Sequence, residues 1–282
     1  SEAVRPLPPA DGPLPPAPPS ALRDAYAATA DSAATLALMD AADDFTWADM
    51  QMLSDPPAKL VGTAAPTALL LPQILKRIAP VQHRLLLVSA YFIPTRDIAA
   101  ELARLAAAGV TVEVLTNSIL SNNVALVHVW YAPWRLRLLR AGVRLWEMRG
   151  AAGDRMRFGL VPRRLRRTPD ATSFFRRSAS ALHAKTIIAD GRWLFVGSMN
   201  LDPRSVRLNT EMGFVIDSPV LAQRLQAALD DGLPRFAWAL ELHDGQLGWR
   251  DNGHLIQPEP GTNGLQRLIM RLLGRLPLAE YF

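Results

Sequence analysis

Apolar residues fall into two rhythms along this chain, short unbroken runs and longer stretches with helical spacing, and their alternation sketches an architecture. LLLVSAYF, beginning at Leu85, is a continuous apolar run of strand length, the mark of a strand buried on both faces. Pro94 stops it, Thr95 is placed to cap a helix over 96–108, and Gly109 stands in the C′ position. Val110 to Leu115 alternates as the next strand, so the unit reads β-α-β with a right-handed crossover to a parallel neighbour. A second unit follows: a helix from Asn122 or Asn123 to Arg140, interrupted at Pro133 and closed by Gly142, then a strand from Val143 to Met148.

Periodicity then lapses. Nine arginines fall between Arg149 and Arg177 without an apolar rhythm, which reads as a long surface loop, either merely solvated or covering a site mouth and drawing in anions. Beyond it, 182–200 reads as a hairpin, 209–217 as a strand carrying Glu211, and Ser218 as the cap of a helix to about Asp231. Turns at His243-Asp244-Gly245 and Asp251-Asn252-Gly253 punctuate a small β-meander over 240–256, expected to pack apart from the main sheet. GLQRLIMRLLGRLPLAEYF ends the chain as an amphipathic helix with Arg267, Arg271 and Arg275 on one face; covering the core is its first reading, membrane contact its second.

The front of the chain is less patterned. Residues 1–20 hold eight prolines and read as a polyproline-II linker. Ser20 caps a short helix to Met39, 45–61 is ambiguous, with Asp55-Pro56-Pro57 ending whatever precedes it, and a helix over 67–78 is expected despite Pro72. The expected divisions are a linker over 1–20, a connecting helical segment over 21–82, a catalytic domain over 83–235 and an extension over 236–282.

With 49% apolar residues the chain has material for a core. It has no cysteine, which excludes a disulfide framework and a thiolate metal site. No apolar run approaches the roughly 20 residues of a membrane span, and SEAVRPLPPADG reads as an interior cut, not a signal peptide. The net charge of +5 rests almost wholly on arginine, because Lys59, Lys76 and Lys185 are the only lysines; anionic partners suit it, as does a compositional bias.

One of those lysines stands in the densest chemistry of the chain, LHAKTIIADGRWLFVGSMN. On a strand, residues two apart face the same way, so His183 and Lys185 project together. Asp190-Gly191 supplies a two-residue hairpin turn, and the return strand brings Ser198 and Asn200 toward the same edge, a hydroxyl and an amide that bind oxyanions without ionising. The set suits a phosphoryl group. A lone His or Lys on such a strand is more often structural, but six residue types at fixed spacing arise by chance on the order of 10⁻⁸ per start, at about 5% usage each.

The pattern H-x-K-x4-D-x6-G-S-x-N, filled by His183, Lys185, Asp190, Gly197, Ser198 and Asn200, is that of the phospholipase D superfamily, which this chain resembles. LDPRSVRLNTEMGFVID, YFIPTRDIAAELARLAAAGVTVEVLTNS and HVWYAPWRLRLLRAGVRLWEM resemble its cardiolipin synthase branch, the bacterial C type above all, strongly over about 84–217 and loosely beyond. The resemblance implies an α/β fold, a mixed sheet flanked by helices with its site at the sheet's C-terminal edge. It implies phosphatidyl transfer through a phosphohistidine: His183 one of two imidazoles, Lys185, Ser198 and Asn200 on the phosphate, Asp190 in the motif but structural at its turn, and Glu211 hydrogen-bonded to His183. Neither a metal nor a cofactor is expected. Phosphatidylglycerol and phosphatidylethanolamine are the implied substrates, the cytoplasmic face of a bacterial inner membrane the implied place, and nucleic acid is not the expected partner.

The family's two-motif enzymes carry the pattern twice, whereas His83, His128, His243 and His254 have no K-x4-D behind them. The chain is therefore expected to be a C-terminal half that needs an N-terminal half or a second copy. Its alternatives are a phosphodiesterase or nuclease acting as a single-motif homodimer, and a catalytically silent docking half.

Overall fold

The computed structural model describes residues 46–122, 125–150, 182–274 and 276. The expected proline-rich linker, the helix over 20–39, the arginine stretch from 151 onward and Arg275 lie outside them. Contacts divide the chain into two compact units between Trp47 and Ala48, and every element below belongs to the second.

Ten strands form one mixed sheet: β1 (Asp49–Ser54), β2 (Arg84–Ser89), β3 (Thr111–Asn117), β4 (Arg144–Met148), β5 (Lys185–Ala189), β6 (Trp193–Gly197), β7 (Met212–Asp217), β8 (Ala237–His243), β9 (Gln246–Asp251) and β10 (His254–Ile256). Their spatial order is β1-β7-β6-β5-β2-β3-β4-β8-β9-β10. The β2–β3 and β3–β4 pairs are parallel, as the two helix-strand units predict, and the other pairs are antiparallel. The helices among the described residues are α1 (Leu70–Ile78), α2 (Arg96–Ala107), α3 (Ala125–Arg140), α4 (Pro203–Arg207), α5 (Pro219–Phe236) and α6 (Gly264–Leu273).

Strand β2 shows why its run has no polar alternation. Leu85 and Leu87 join the core beneath α1, α2 and α3, while Leu86 and Val88 join the core that α5 covers with Ala222 and Leu233. A strand sandwiched by helices needs apolar residues on both faces. Side-chain caps set three helix starts as expected or by the same chemistry: Thr95 Oγ1 accepts from Ile98 N at 3.3 Å, Ser218 Oγ from Leu221 N at 3.3 Å, and Asn263 Oδ1 from Gln266 N at 2.9 Å. Helix α5 runs past the expected Asp231 to Phe236, with Pro234 inside it.

Two expectations are corrected. The meander exists as β8, β9 and β10, but it does not pack apart: β8 pairs with β4 from Leu145↔Leu240 to Met148↔Ala237 and extends the sheet. Pairing closes the open edge of β4 and buries Trp238, Leu240 and Trp249, which an isolated three-stranded meander could not cover. The undecided stretch before Pro56 contains a strand, β1, which pairs with β7, so this part of the expected connecting segment belongs to the sheet.

A buried ionic network fastens the meander. Arg135 on α3 donates to both oxygens of Glu259, at 2.7 and 3.1 Å, and to Glu147 Oε1 at 3.2 Å. Trp249 Nε1 donates to Glu147 Oε2 at 2.8 Å, and His128 Nε2 lies 2.6 Å from Glu259 Oε1. Burial pushes the Glu259 carboxyl up, but Arg135 and His128 outweigh it and hold it well below the ordinary glutamate range. A buried pair broken from one side leaves an uncompensated charge, so Glu259→Ala is expected to cost about 3–5 kcal/mol. Arg104→Ala, which breaks the exposed Arg104–Glu101 pair, should cost far less. Thermal unfolding of both variants checks the ranking. Because the Glu259 carboxyl is depressed, its stabilisation is present above its ordinary value of 4.5 and should be lost as pH falls through its folded value.

Candidate active site

Because β5 runs antiparallel to β2, its first residue, Lys185, lies opposite Ser89, the last residue of β2. The motif therefore gathers where the parallel strands end, the edge expected from sequence. His183 precedes β5 instead of lying on it, and the hairpin loop has three residues, 190–192, not two. The turn chemistry is nonetheless that of Asp-Gly: Asp190 and Gly191 have φ of 51° and 60°, and Arg192 N donates to Ala189 O at 3.0 Å.

Both ends of the strand are tied. At the turn, the Asp190 carboxylate accepts from the backbone of Gln82, His83 and Arg84 at 2.8, 2.8 and 2.9 Å. Burial pushes this carboxyl up, but the three amide donors outweigh it and hold it below the usual aspartate value. At the other end, Asn117 at the close of β3 accepts from Leu182 N at 3.0 Å and donates to Leu182 O and Ala90 O at 2.9 Å each. His183 follows directly from that clamp. Asp190 therefore stands at the far end of β5 from His183, holding the strand in place.

Lys185 meets His183 at the start of β5. Its Nζ lies 3.4 and 3.5 Å from the two ring nitrogens of His183 and donates to His183 O at 2.7 Å. Burial lowers the Lys185 ammonium below its ordinary value, while the Glu211 and Asp202 carboxylates pull it back up. Asn200 Oδ1 accepts from Tyr91 N at 3.3 Å, which joins the loop after β6 to the loop after β2. Ser89 reinforces the join: its Oγ donates to Tyr91 O at 2.6 Å and accepts from Leu201 N at 3.0 Å. Gly197 is required where β6 meets β7, because a Cβ there would sit 2.5 Å from Met212 O.

Glu211 is placed differently from the expectation. Its Oε2 accepts a short hydrogen bond from Ser198 Oγ and its Oε1 a 3.4 Å bond from Asn209 Nδ2, so its described partners are these two and not His183. Its backbone explains the position, since Glu211 N donates to Asp55 Oδ2 at 3.0 Å and Asp55 N to Glu211 O at 2.8 Å. Asp55 is in turn paired with buried Lys59 at 2.6 Å, and Lys59 Nζ reaches Ser205 O at 2.9 Å.

Asp55, Lys59, Ser89, Asn117 and Asp202 were not singled out from sequence. Asp202 caps α4, accepting from Ser205 N at 2.8 Å, and burial pushes its carboxyl up against the pull of that cap. The D-P pair at a helix start was a readable cue for it. Asn117, a polar residue closing an apolar strand, was a weaker cue.

What this arrangement offers is an imidazole beside a partly buried ammonium, a pair suited to binding and accepting a phosphoryl group. The family model of the cardiolipin synthase, PLD-like domain matches residues 74–231, so the chain belongs to the phospholipase D-like family of cardiolipin synthases, an enzyme family. It is 37% identical over 246 residues to cardiolipin synthase C of Escherichia coli (strain K12), covering 86% of this chain and 50% of that protein. It is 26% identical over 186 residues to cardiolipin synthase A of Yersinia pseudotuberculosis serotype O:3 (strain YPIII), covering 66% of this chain and 31% of that protein. The chain thus spans about half the length, or less, of these curated relatives. Among solved structures, Nuc of Salmonella typhimurium, a phospholipase D family member, overlays with a TM-score of 0.44 at 16% identity, covering 69% of this chain and 99% of that one.

The two ties of β5 can be tested separately. Asp190→Asn should cost about 1 kcal/mol at neutral pH, and the difference from wild type should shrink as pH falls below 3.8, where the carboxylate protonates. Asn117→Ala should leave a folded chain whose Leu182 amide exchanges with solvent faster, read by hydrogen exchange; an unchanged rate would rule out the clamp.

Proposed function

We propose that the chain is the C-terminal half of a two-motif enzyme that transfers phosphatidyl groups between phospholipids to make cardiolipin, through a phosphohistidine. The observation that carries this reading is the Lys185 ammonium, lowered by burial and lodged 3.4 Å from the His183 ring. A phosphodiester bound there meets a partly buried cation and an imidazole within reach of phosphorus.

The chemistry divides into two displacements. One imidazole nitrogen attacks phosphorus, forming a P–N bond as the P–O bond to the leaving alcohol breaks; a second imidazole supplies the proton that alkoxide needs. An acceptor alcohol then loses its proton to the second imidazole and attacks, forming a new P–O bond as the P–N bond breaks. Lys185 and Asn200 hold the equatorial oxygens, and Ser198, bonded to Glu211, orients the loop that carries Asn200. Glu211 acts on this loop in place of its expected bond to His183.

His183 supplies one imidazole, and the second is assigned to the N-terminal half. An apolar patch supports such a partner: Met50, Met52, Val196 and Met212 are 61, 58, 43 and 44% exposed on the β1-β7-β6 part of the sheet. A second copy of this chain is the other candidate for that surface. Phosphatidylglycerol, with phosphatidylethanolamine as a second lipid, fits the anionic or zwitterionic phosphodiesters such a site would take. The proposed place is peripheral, on the cytoplasmic face of a bacterial inner membrane; among the described residues no helix is long and apolar enough to cross a bilayer. Nucleic acid is the less favoured substrate.

In the assembled enzyme, His183→Ala should abolish lipid transfer while leaving the fold intact; activity within tenfold of wild type would sink the assignment. Lys185→Ala and Asn200→Ala should each lose about 10²-fold or more, the scale of removing an oxyanion donor, and Glu211→Gln should lose less. The cationic form of Lys185 binds phosphate, and burial lowers it. Transfer should therefore fall on the alkaline side before the ordinary lysine value of 10.5, read from a pH–rate profile of transfer between labelled lipids.

A further inference from the structure

A groove of about 1190 Å³ opens between α3, α6 and β9, away from the His183 site. Arg96, Arg137, Arg267 and Arg271 line it beside Trp134, as do Arg135 and Glu259, which pair with each other. A smaller hollow of about 320 Å³ between α2 and α3 shares Arg96, Trp134 and Arg137 with it and is otherwise apolar, floored by Ala99, Ala103 and Leu138. The two hollows meet at a pair of guanidinium groups, with charge on one side and hydrocarbon on the other.

Several of the described arginines are paired. Arg84, Arg104, Arg135, Arg149, Arg192, Arg235 and Arg250 each have a carboxylate partner. Among the described residues, no ion pair involves Arg96, Arg137, Arg267 or Arg271; Arg137 stacks on Trp134 at 5.4 Å and Arg267 donates to Thr262. Guanidinium groups that line one groove without carboxylate partners of their own favour a multiply charged oxyanion, which each can grip bidentately.

Helix α6 says what kind of anion. It turns Met270 into the core and its Arg267 and Arg271 toward the groove. Leu265, Leu268 and Leu272 form one outward stripe at helical spacing, 66, 52 and 55% exposed, and Leu276, at 45%, borders the groove itself. An exposed leucine stripe beside arginines is the composition of a helix lying in a membrane interface. A nucleic acid backbone would use the arginines but gives the leucines and the alanine-floored hollow nothing to meet.

We propose that this groove takes the head group of an anionic membrane phospholipid, its phosphate on Arg137 and Arg271, while the α6 leucines enter the apolar layer. It is a docking site separate from the catalytic one, since none of its lining residues belongs to the motif. The proposal rests on the lipid reading above only for the class of ligand, and its test needs no turnover.

The purified chain should co-sediment with vesicles of phosphatidylglycerol mixed into phosphatidylcholine and only weakly with phosphatidylcholine alone. Arg137→Glu with Arg271→Glu should cut partitioning at least tenfold, and Leu268→Ser with Leu272→Ser should cut it on both vesicle types, with far-ultraviolet circular dichroism unchanged. As a check that needs no charge variant, brominated lipid should quench the wild-type tryptophan fluorescence, and Trp134→Phe should remove part of that quenching. Folded arginine variants that partition like wild type would overturn the proposal, as would quenching that Trp134→Phe leaves whole. Steeply salt-dependent binding of duplex DNA lost in the same arginine variants, without vesicle binding, would also overturn it. His183→Ala should bind vesicles as wild type does, so a failure of the catalytic reading and a failure of the groove give different results.

Discussion

The placement of β5 between β2 and β6 is the constraint on which the rest of this structure depends. A strand's side chains alternate between faces, so a slip of one residue would turn Lys185 to the α5 side and bring Thr186 into its place. Two polar ties oppose that slip. Asp190 holds the turn by three backbone amides of the segment entering β2, and Asn117 grips Leu182 from the end of β3. Between them runs a strand buried from Thr186 to Ala189, whose apolar contacts stabilise it without selecting its register as sharply. The motif's spacing follows from this geometry, with its aspartate at one end of the strand and its histidine just beyond the other.

Much of the sheet was legible because burial on two faces and helix capping leave strong local marks. The run at 85–92, the Thr95 and Ser218 caps and the glycines after two helices mark the elements that the structure contains. What was not legible depends on pairing between distant segments. Nothing local tells that the edge of β4 is closed by β8, because that edge is defined only once the sheet has formed. The same holds for β1, whose DMQMLS becomes a strand through β7 and leaves Met50 and Met52 exposed. Within the site, the residue types and the edge were readable, but the partners were not. Glu211 bonds to Ser198 because its backbone is anchored to Asp55, 156 residues away in sequence, a contact that only folding creates.

Charge is managed in two ways in this molecule. Away from the site, buried ions are closed off: Arg135 is held between Glu147 and Glu259, and Lys59 between Asp55 and a backbone carbonyl. Lys185 has a different setting, with an imidazole and a backbone carbonyl as its nearest contacts and two carboxylates acting through space. A cation so placed is poised for an anion from outside. The structural pairs stabilise the scaffold, and the unclosed one is where we place the chemistry.

A single motif brings one imidazole, and a phosphodiester's alkoxide leaves slowly without a second group to protonate it. We therefore propose that this site is half of one. Lipid transfer by the chain alone, and by the chain mixed with a separately produced N-terminal half, measured on vesicles with labelled phosphatidylglycerol, tests this most directly. Little cardiolipin from the chain alone and robust synthesis on adding the second half is the predicted result. Full activity from the monomeric chain would contradict it, and activity rising with the chain's own dimer concentration would replace the missing half with a second copy.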